Sequence, residues 1–133
     1  MSMMALNSVS ALYPVIAVAE PVATATDLEA LLPMERVFDS GWFVQLVSAD
    51  GRLQLGLVRY DHESVPKGWQ KSASGLFVTV DTDDASAAWS SMVGRFEVVQ
   101  PLRDEAWGQR HFILRLDGDI LVDVVEMLGD GNG

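Results

Sequence analysis

Two histidines, His62 and His111, are the side chains whose ordinary proton affinity lies near neutrality, so acid–base chemistry at that pH falls to them or to perturbed carboxylates. His111 sits in the alternating run 108–115. A period of two puts Gln109, His111, Ile113 and Arg115 on one face, with Arg110, Phe112 and Leu114 on the other. The apolar pair Phe112 and Leu114 is expected to pack on a helix, which turns His111 to the opposite, inward side. There His111 and Asp123, on neighbouring strands, are expected to form a polar pair able to orient a ligand or exchange a proton; a plain structural hydrogen bond is the simpler reading. His62 and Glu63 adjoin each other in a stretch without hydrophobic period, where both are expected to be solvated.

Four tryptophans add flat apolar surface. Trp89 falls at helical spacing with Met92 and is expected in a core. Trp42, Trp69 and Trp107 fall at strand starts or in the connecting stretch, positions that suit the rim of a cavity for a flat or amphipathic ligand, or ordinary packing. Asp104 and Glu105 next to Trp107 would make such a rim negative and favour a cationic or neutral ligand. Other chemistries have nothing to stand on. The absence of cysteine removes thiol nucleophiles, thiolate zinc sites and disulfides. No Ser-His-Asp order with elbow glycines, phosphate-cradling loop or dinucleotide fingerprint is present.

The elements that must position these residues come from a chain of 133 residues, enough for one domain or two small fused modules. Hydrophobic residues at 49% and charged residues at 21% fit a globular chain rather than a disordered one. The net charge of −10, without any cluster of Lys and Arg, argues against nucleic acid as a partner. The apolar stretch 12–25 is interrupted by Tyr13, Pro14, Glu20 and Pro21, and it falls short of the roughly 20 residues a bilayer span takes. No membrane partner and a cytoplasmic location are the expectation.

Residues 1–10 read as a loose leader and 12–18 as a buried first strand. Pro21 suits a first helical turn, and Val22, Ala25, Leu28, Leu31 and Leu32 recur at helical spacing until Pro33 stops them. Strands are expected over 35–39, 42–48 and 53–60, with Asp50-Gly51 turning a hairpin. After a linker or lid at 62–74 the order recurs: a strand at 75–80, a helix at 83–92 with Asp83 as N-cap, strands at 96–102, 108–115 and 121–126, and a frayed tail at 129–133. With an offset of 62, residues 13–18 (YPVIAV) match 75–80 (GLFVTV), and a helix follows each. The chain is thus expected to be α+β, with two βαβββ modules, 11–61 and 75–128, in tandem. Neither module can bury a core of its own, so the pair is expected to form a curved mixed sheet around a cavity.

Three pieces carry a family resemblance: 13–21 (YPVIAVAEP), 75–84 (GLFVTVDTDD), and 107–115 (WGQRHFILR) followed by 117–119 (DGD) and 121–126 (LVDVVE). In this order and spacing the chain resembles the vicinal-oxygen-chelate superfamily of glyoxalase, bleomycin-resistance proteins and extradiol dioxygenases. It departs at Thr26-Asp27-Leu28, where relatives often carry an aromatic pair, and at the closing turn Leu116-Asp117-Gly118-Asp119, where an Asp-Pro-Asp-Gly-Asn turn is usual. The resemblance implies a divalent ion held from the first and last strands of each module, at positions that fall on Tyr13, Gly56, Gly75 and Asp123. Of these only Asp123 carries a usual donor, and a one-residue slip brings in Leu55 or Leu57 and Ser74 or Leu76, which supply none.

The resemblance therefore implies a metal-independent binding protein, without cofactor, that holds a small organic molecule in an aromatic-lined cavity and pairs as a homodimer. Tyr13, Trp42, Trp107, His111 and Asp123 are its expected ligand contacts, and no catalytic residue is assigned. The alternative is a metal-dependent lyase, isomerase or dioxygenase with a rearranged shell of Asp123 with His111 or Glu63.

Overall fold

The computed structural model describes residue 6 and residues 8–129, so the expected leader and tail lie largely outside the described residues. The chain forms two compact units that divide between Lys71 and Ser72. Each is a βαβββ unit with a four-stranded mixed sheet and one helix.

The first unit contains β1 (Val15–Val18), α1 (Pro21–Leu31), β2 (Met34–Asp39), β3 (Phe43–Ser48) and β4 (Gln54–Arg59) in sheet order β1-β4-β3-β2, with β1 parallel to β4. Ile16 and Val18, Leu55 and Leu57, Val44 and Leu46 alternate toward α1, which buries Thr24, Ala25 and Leu28 in return. Each fully buried leucine contributes about 2 kcal/mol through removal from water. The Asp50-Gly51 turn forms as its sequence requires: Gly51 has φ 74°, its N–H donates to Ser48 O at 2.9 Å, and Asp50 Oδ1 accepts from Arg52 N–H at 3.0 Å.

The expectation of a buried strand over 12–18 is corrected: the strand begins at Val15, and Leu12 is 94% exposed. β1 is an edge strand whose pairing with β4 begins at Val15↔Gly56, and the last backbone contact before it is Gly56 N–H donating to Pro14 O at 2.9 Å. Residues 62–71 also differ from a structureless connection. His62, Val65 and Trp69 donate backbone hydrogen bonds to Arg59, His62 and Pro66, and the Gln70 amide donates to the His62 and Val65 carbonyls.

The second unit contains β5 (Phe77–Asp81), α2 (Ala85–Met92), β6 (Glu97–Asp104), β7 (Gln109–Leu116) and β8 (Ile120–Met127) in order β5-β8-β7-β6. Phe112, Leu114, Val122 and Val124 turn toward α2, where Trp89 meets Phe112 edge-on with ring centroids 5.2 Å apart. The N-cap is Asp84 rather than the expected Asp83. Asp84 Oδ1 accepts the Ala87 N–H at 3.0 Å, which makes Ala85 the first helical residue and leaves Asp83 one position too early to reach an unpaired amide.

Candidate functional site

In the second unit, Phe112 facing α2 puts His111 on the helix-free side of β7, where it is only 6% exposed. On β8, Asp123 lies across from Ile113 and so sits diagonal to His111 on the same face. Asp123 Oδ1 meets His111 Nδ1 at 2.8 Å, so the expected pair is formed. The other ring nitrogen, Nε2, lies 2.8 Å from Glu105 Oε2. Arg103 Nε donates to that same carboxylate oxygen at 2.8 Å, and the Gln100 amide nitrogen stands 3.0 Å from His111 Nε2.

Burial works against a charge on His111, but the hydrogen bonds to Glu105 and Asp123 outweigh it and raise the imidazole above its ordinary 6.5. The Glu105 carboxyl is lowered, first by its hydrogen bond to His111 and then by that to Arg103. His111 is therefore nearly sealed between two carboxylates, a setting that favours its protonated form. With both nitrogens engaged it has no lone pair to offer a metal ion or a substrate proton. Among the described residues no buried side-chain nitrogen or oxygen is left without a partner, so the cluster satisfies itself.

Glu105 is the member of this cluster that sequence reasoning assigned otherwise, as rim charge beside Asp104. The structure separates the two: Asp104 pairs with Arg110 at 2.7 Å, while Glu105, in the turn joining β6 to β7, bends back onto His111. Alternation along β6 gave no warning of this, because the strand is irregular between Val98 and Gln100 and again between Gln100 and Arg103. Trp107, 53% exposed, stands edge-on to the His111 ring at 6.5 Å and donates its Nε1–H to Gln109 Oε1 at 2.9 Å.

The first unit carries a different kind of site. A pocket of about 390 Å³ opens on the helix-free side of its sheet, lined by Val15, Ala17, Phe43 and Val58 from the strands and by Trp42, Ser64, Val65 and Pro66 from the connecting segments. None of these eight side chains ionises. Trp42 is fixed in place: His62 stacks on it with centroids 3.5 Å apart and planes 1° from parallel, and Phe43 meets its edge at 6.0 Å. The backbone N–H of Ser64 donates to His62 Nδ1 at 3.0 Å, which leaves the ring proton of the neutral form on Nε2. The expectation of a solvated His62 is thus replaced by a stacked one, while Glu63 remains exposed.

Of the five expected ligand contacts, the structure groups Trp107, His111 and Asp123 in the second unit and puts Trp42 in the first unit's pocket. Tyr13 precedes β1, is 39% exposed and is not among the residues that line the pocket. Trp69 is also exposed.

The positions that family resemblance assigns to a metal do not fit one. Gly75 lies before β5 with φ 69°, a conformation that a side-chain donor rarely adopts. At Gly56 a Cβ atom would meet Val15 Cγ2 at 2.9 Å. Nor are Gly56 and Asp123 equivalent in the repeat: Ala17 pairs with Val58 and its counterpart Thr79 pairs with Asp123, so Asp123 corresponds to Val58. Among the described residues no three His, Asp or Glu side chains converge as a cation site.

No family model matches the sequence, and no curated protein matches it. Solved structures do. A glyoxalase/bleomycin resistance protein/dioxygenase from Nocardioides superposes with a TM-score of 0.75 at 15% identity, over 98% of this chain and 91% of that one. A member of the same superfamily from Sphaerobacter thermophilus gives 0.69 at 21% identity, over 91% and 99%. A protein from the mobile metagenome of V. Pseudocholerae gives 0.67 at 26% identity, over 91% and 97%. The chain has the glyoxalase/bleomycin-resistance fold.

Proposed function

We propose that this chain is a metal-independent binding protein that holds an uncharged organic molecule in the aromatic-lined pocket of its first unit. The observation that carries this reading is the pocket itself: about 390 Å³, walled by Trp42 and Phe43, with no ionisable group in its lining. Apolar burial is the driving force such a wall supplies, and a charged ligand would lose its hydration there without a partner. Sequestration needs no catalytic group. The fold hosts enzymes as well as binding proteins, and fold alone does not choose between them. Against a rearranged metal shell stands the engagement of both His111 nitrogens by carboxylates, which leaves Asp123 without a histidine co-ligand. No described helix is long and apolar enough to cross a membrane.

The test is a titration of the purified chain with Nile red, a flat uncharged fluorophore. Saturable binding at about one probe per chain is expected, weakened about tenfold in Trp42→Ala and lost in Val58→Asp. Elemental analysis of the same sample completes it. About one tightly held divalent ion per chain, with chelation abolishing probe binding, would overturn the reading in favour of a metal-dependent lyase, isomerase or dioxygenase. Light scattering checks the expected homodimer.

A further inference from the structure

We infer that Gly56 sets the shape of the first unit's pocket and thereby the size of ligand it admits, an inference that rests on the pocket being a ligand site. Gly56 is buried in the middle of β4, flanked by Leu55, Leu57 and Val58. A glycine there costs strand stability, having no side chain to pack and more backbone freedom to lose. Its φ lies outside the left-handed region, so backbone conformation does not call for glycine. What does is space.

Three side chains converge on the position a Cβ would take. Val15 Cγ2 would stand 2.9 Å away, Phe43 Cζ 3.1 Å and Gln45 Oε1 3.3 Å. They reach it from both neighbours of β4, since Val15 on β1 and Gln45 on β3 are its direct cross-strand partners. Val15 and Phe43 also line the pocket. The bare Cα of Gly56 is therefore the surface on which two pocket walls rest. A methyl group at this position cannot be added without moving a branched side chain and a ring, and the other side of the sheet is closed to them by the packed core under α1. Both side chains line the cavity, so displacing them changes its shape. Glycine thus keeps room for a broad flat ligand, and alanine would narrow it.

The experiment compares two uncharged probes, Nile red as the broad one and indole as the small one, on wild type, Gly56→Ala and Val15→Ala/Gly56→Ala. Gly56→Ala is expected to weaken Nile red about tenfold while indole stays within about twofold, and truncation of Val15, the nearest of the three side chains, should restore Nile red. Unchanged Nile red affinity in Gly56→Ala, or equal loss of both probes without rescue by the double variant, would overturn the inference. If Gly56→Ala fails to fold, the double variant, relieved of the nearest contact, carries the comparison: Nile red binding at wild-type strength supports the inference, and its loss overturns it.

Should wild type bind neither probe, the pocket reading fails separately, and methyl NMR decides the Gly56 claim. Displacement of the Val15 methyl resonances in Gly56→Ala, with those of Val18 unmoved, supports it; unmoved Val15 resonances overturn it.

Discussion

On the face turned away from its helix, the first unit carries Val15, Ala17, Phe43, Gly56 and Val58; the second carries Phe77, Thr79, His111, Ile113 and Asp123 at the corresponding strands. The faces turned toward the helices are alike: Ile16, Val18, Leu46 and Leu57 in one, Phe112, Leu114, Val122 and Val124 in the other. Two copies of one topology thus agree where burial under a helix is obligatory and diverge where it is not. The first has kept an apolar hollow, and the second has filled the equivalent surface with an ion cluster that needs no ligand to be satisfied. Position 58 against position 123, Val against Asp, concentrates the contrast.

The comparison breaks first if the helix-facing sides prove unequal. Phe112→Ala and Leu57→Ala should each destabilise by about 3–4 kcal/mol, read from denaturant midpoints, because both open a cavity in a close-packed core. A loss under about 1 kcal/mol in either would mean that its unit contributes no cooperative core. Next in size, His111→Leu should cost about 2 kcal/mol, the cost of removing hydrogen bonds to charged partners, and should leave Nile red binding in the first unit unchanged. Loss of probe binding together with unchanged stability would reverse the roles assigned to the two faces.

The pH dependence sharpens the contrast further. His111 is raised above its ordinary 6.5, so its contribution is fully present below that value and is lost as pH rises through the higher folded value. Glu105 is lowered from its ordinary 4.5, so its contribution is present above that value and is lost as pH falls through the lower folded one. The melting-point gap between wild type and His111→Leu should therefore be widest between the two ordinary values and should shrink as pH rises above 6.5. A gap that widens toward alkaline pH would contradict a clasped imidazolium. The same scan on Trp42→Ala should run parallel to wild type over the alkaline range. The smallest effect separates neighbours: Asp84→Ala should cost about 1 kcal/mol and Asp83→Ala under about 0.5 kcal/mol, since only Asp84 caps α2.

Much of this was legible along the chain. Alternation at 109–115 put Phe112 toward a helix and His111 away from it, and Asp123 was paired with His111 from strand adjacency alone. Glu105 was not legible, because the β6 irregularities and the turn after it decide where its carboxylate goes, and neither has a residue-level signature in 97–108. The stacking of His62 on Trp42 joins two residues twenty positions apart through the path of a loop. Gly56 looked like a missing ligand in the sequence; its crowding by Val15, Phe43 and Gln45 is visible only once three strands lie side by side.

The sequence alone determined two things about this protein: the repeat of βαβββ order, and the alternation that sets Phe112 and Leu114 opposite His111. Both follow from covalent geometry, since side chains alternate along a strand and recur every third or fourth residue along a helix whatever lies nearby. Tertiary structure alone decided which polar groups meet and where a hollow stays open. Those outcomes turn on strand register, bulges and loop paths, where a shift of a few ångströms makes or breaks a hydrogen bond while the hydrophobic pattern stays the same.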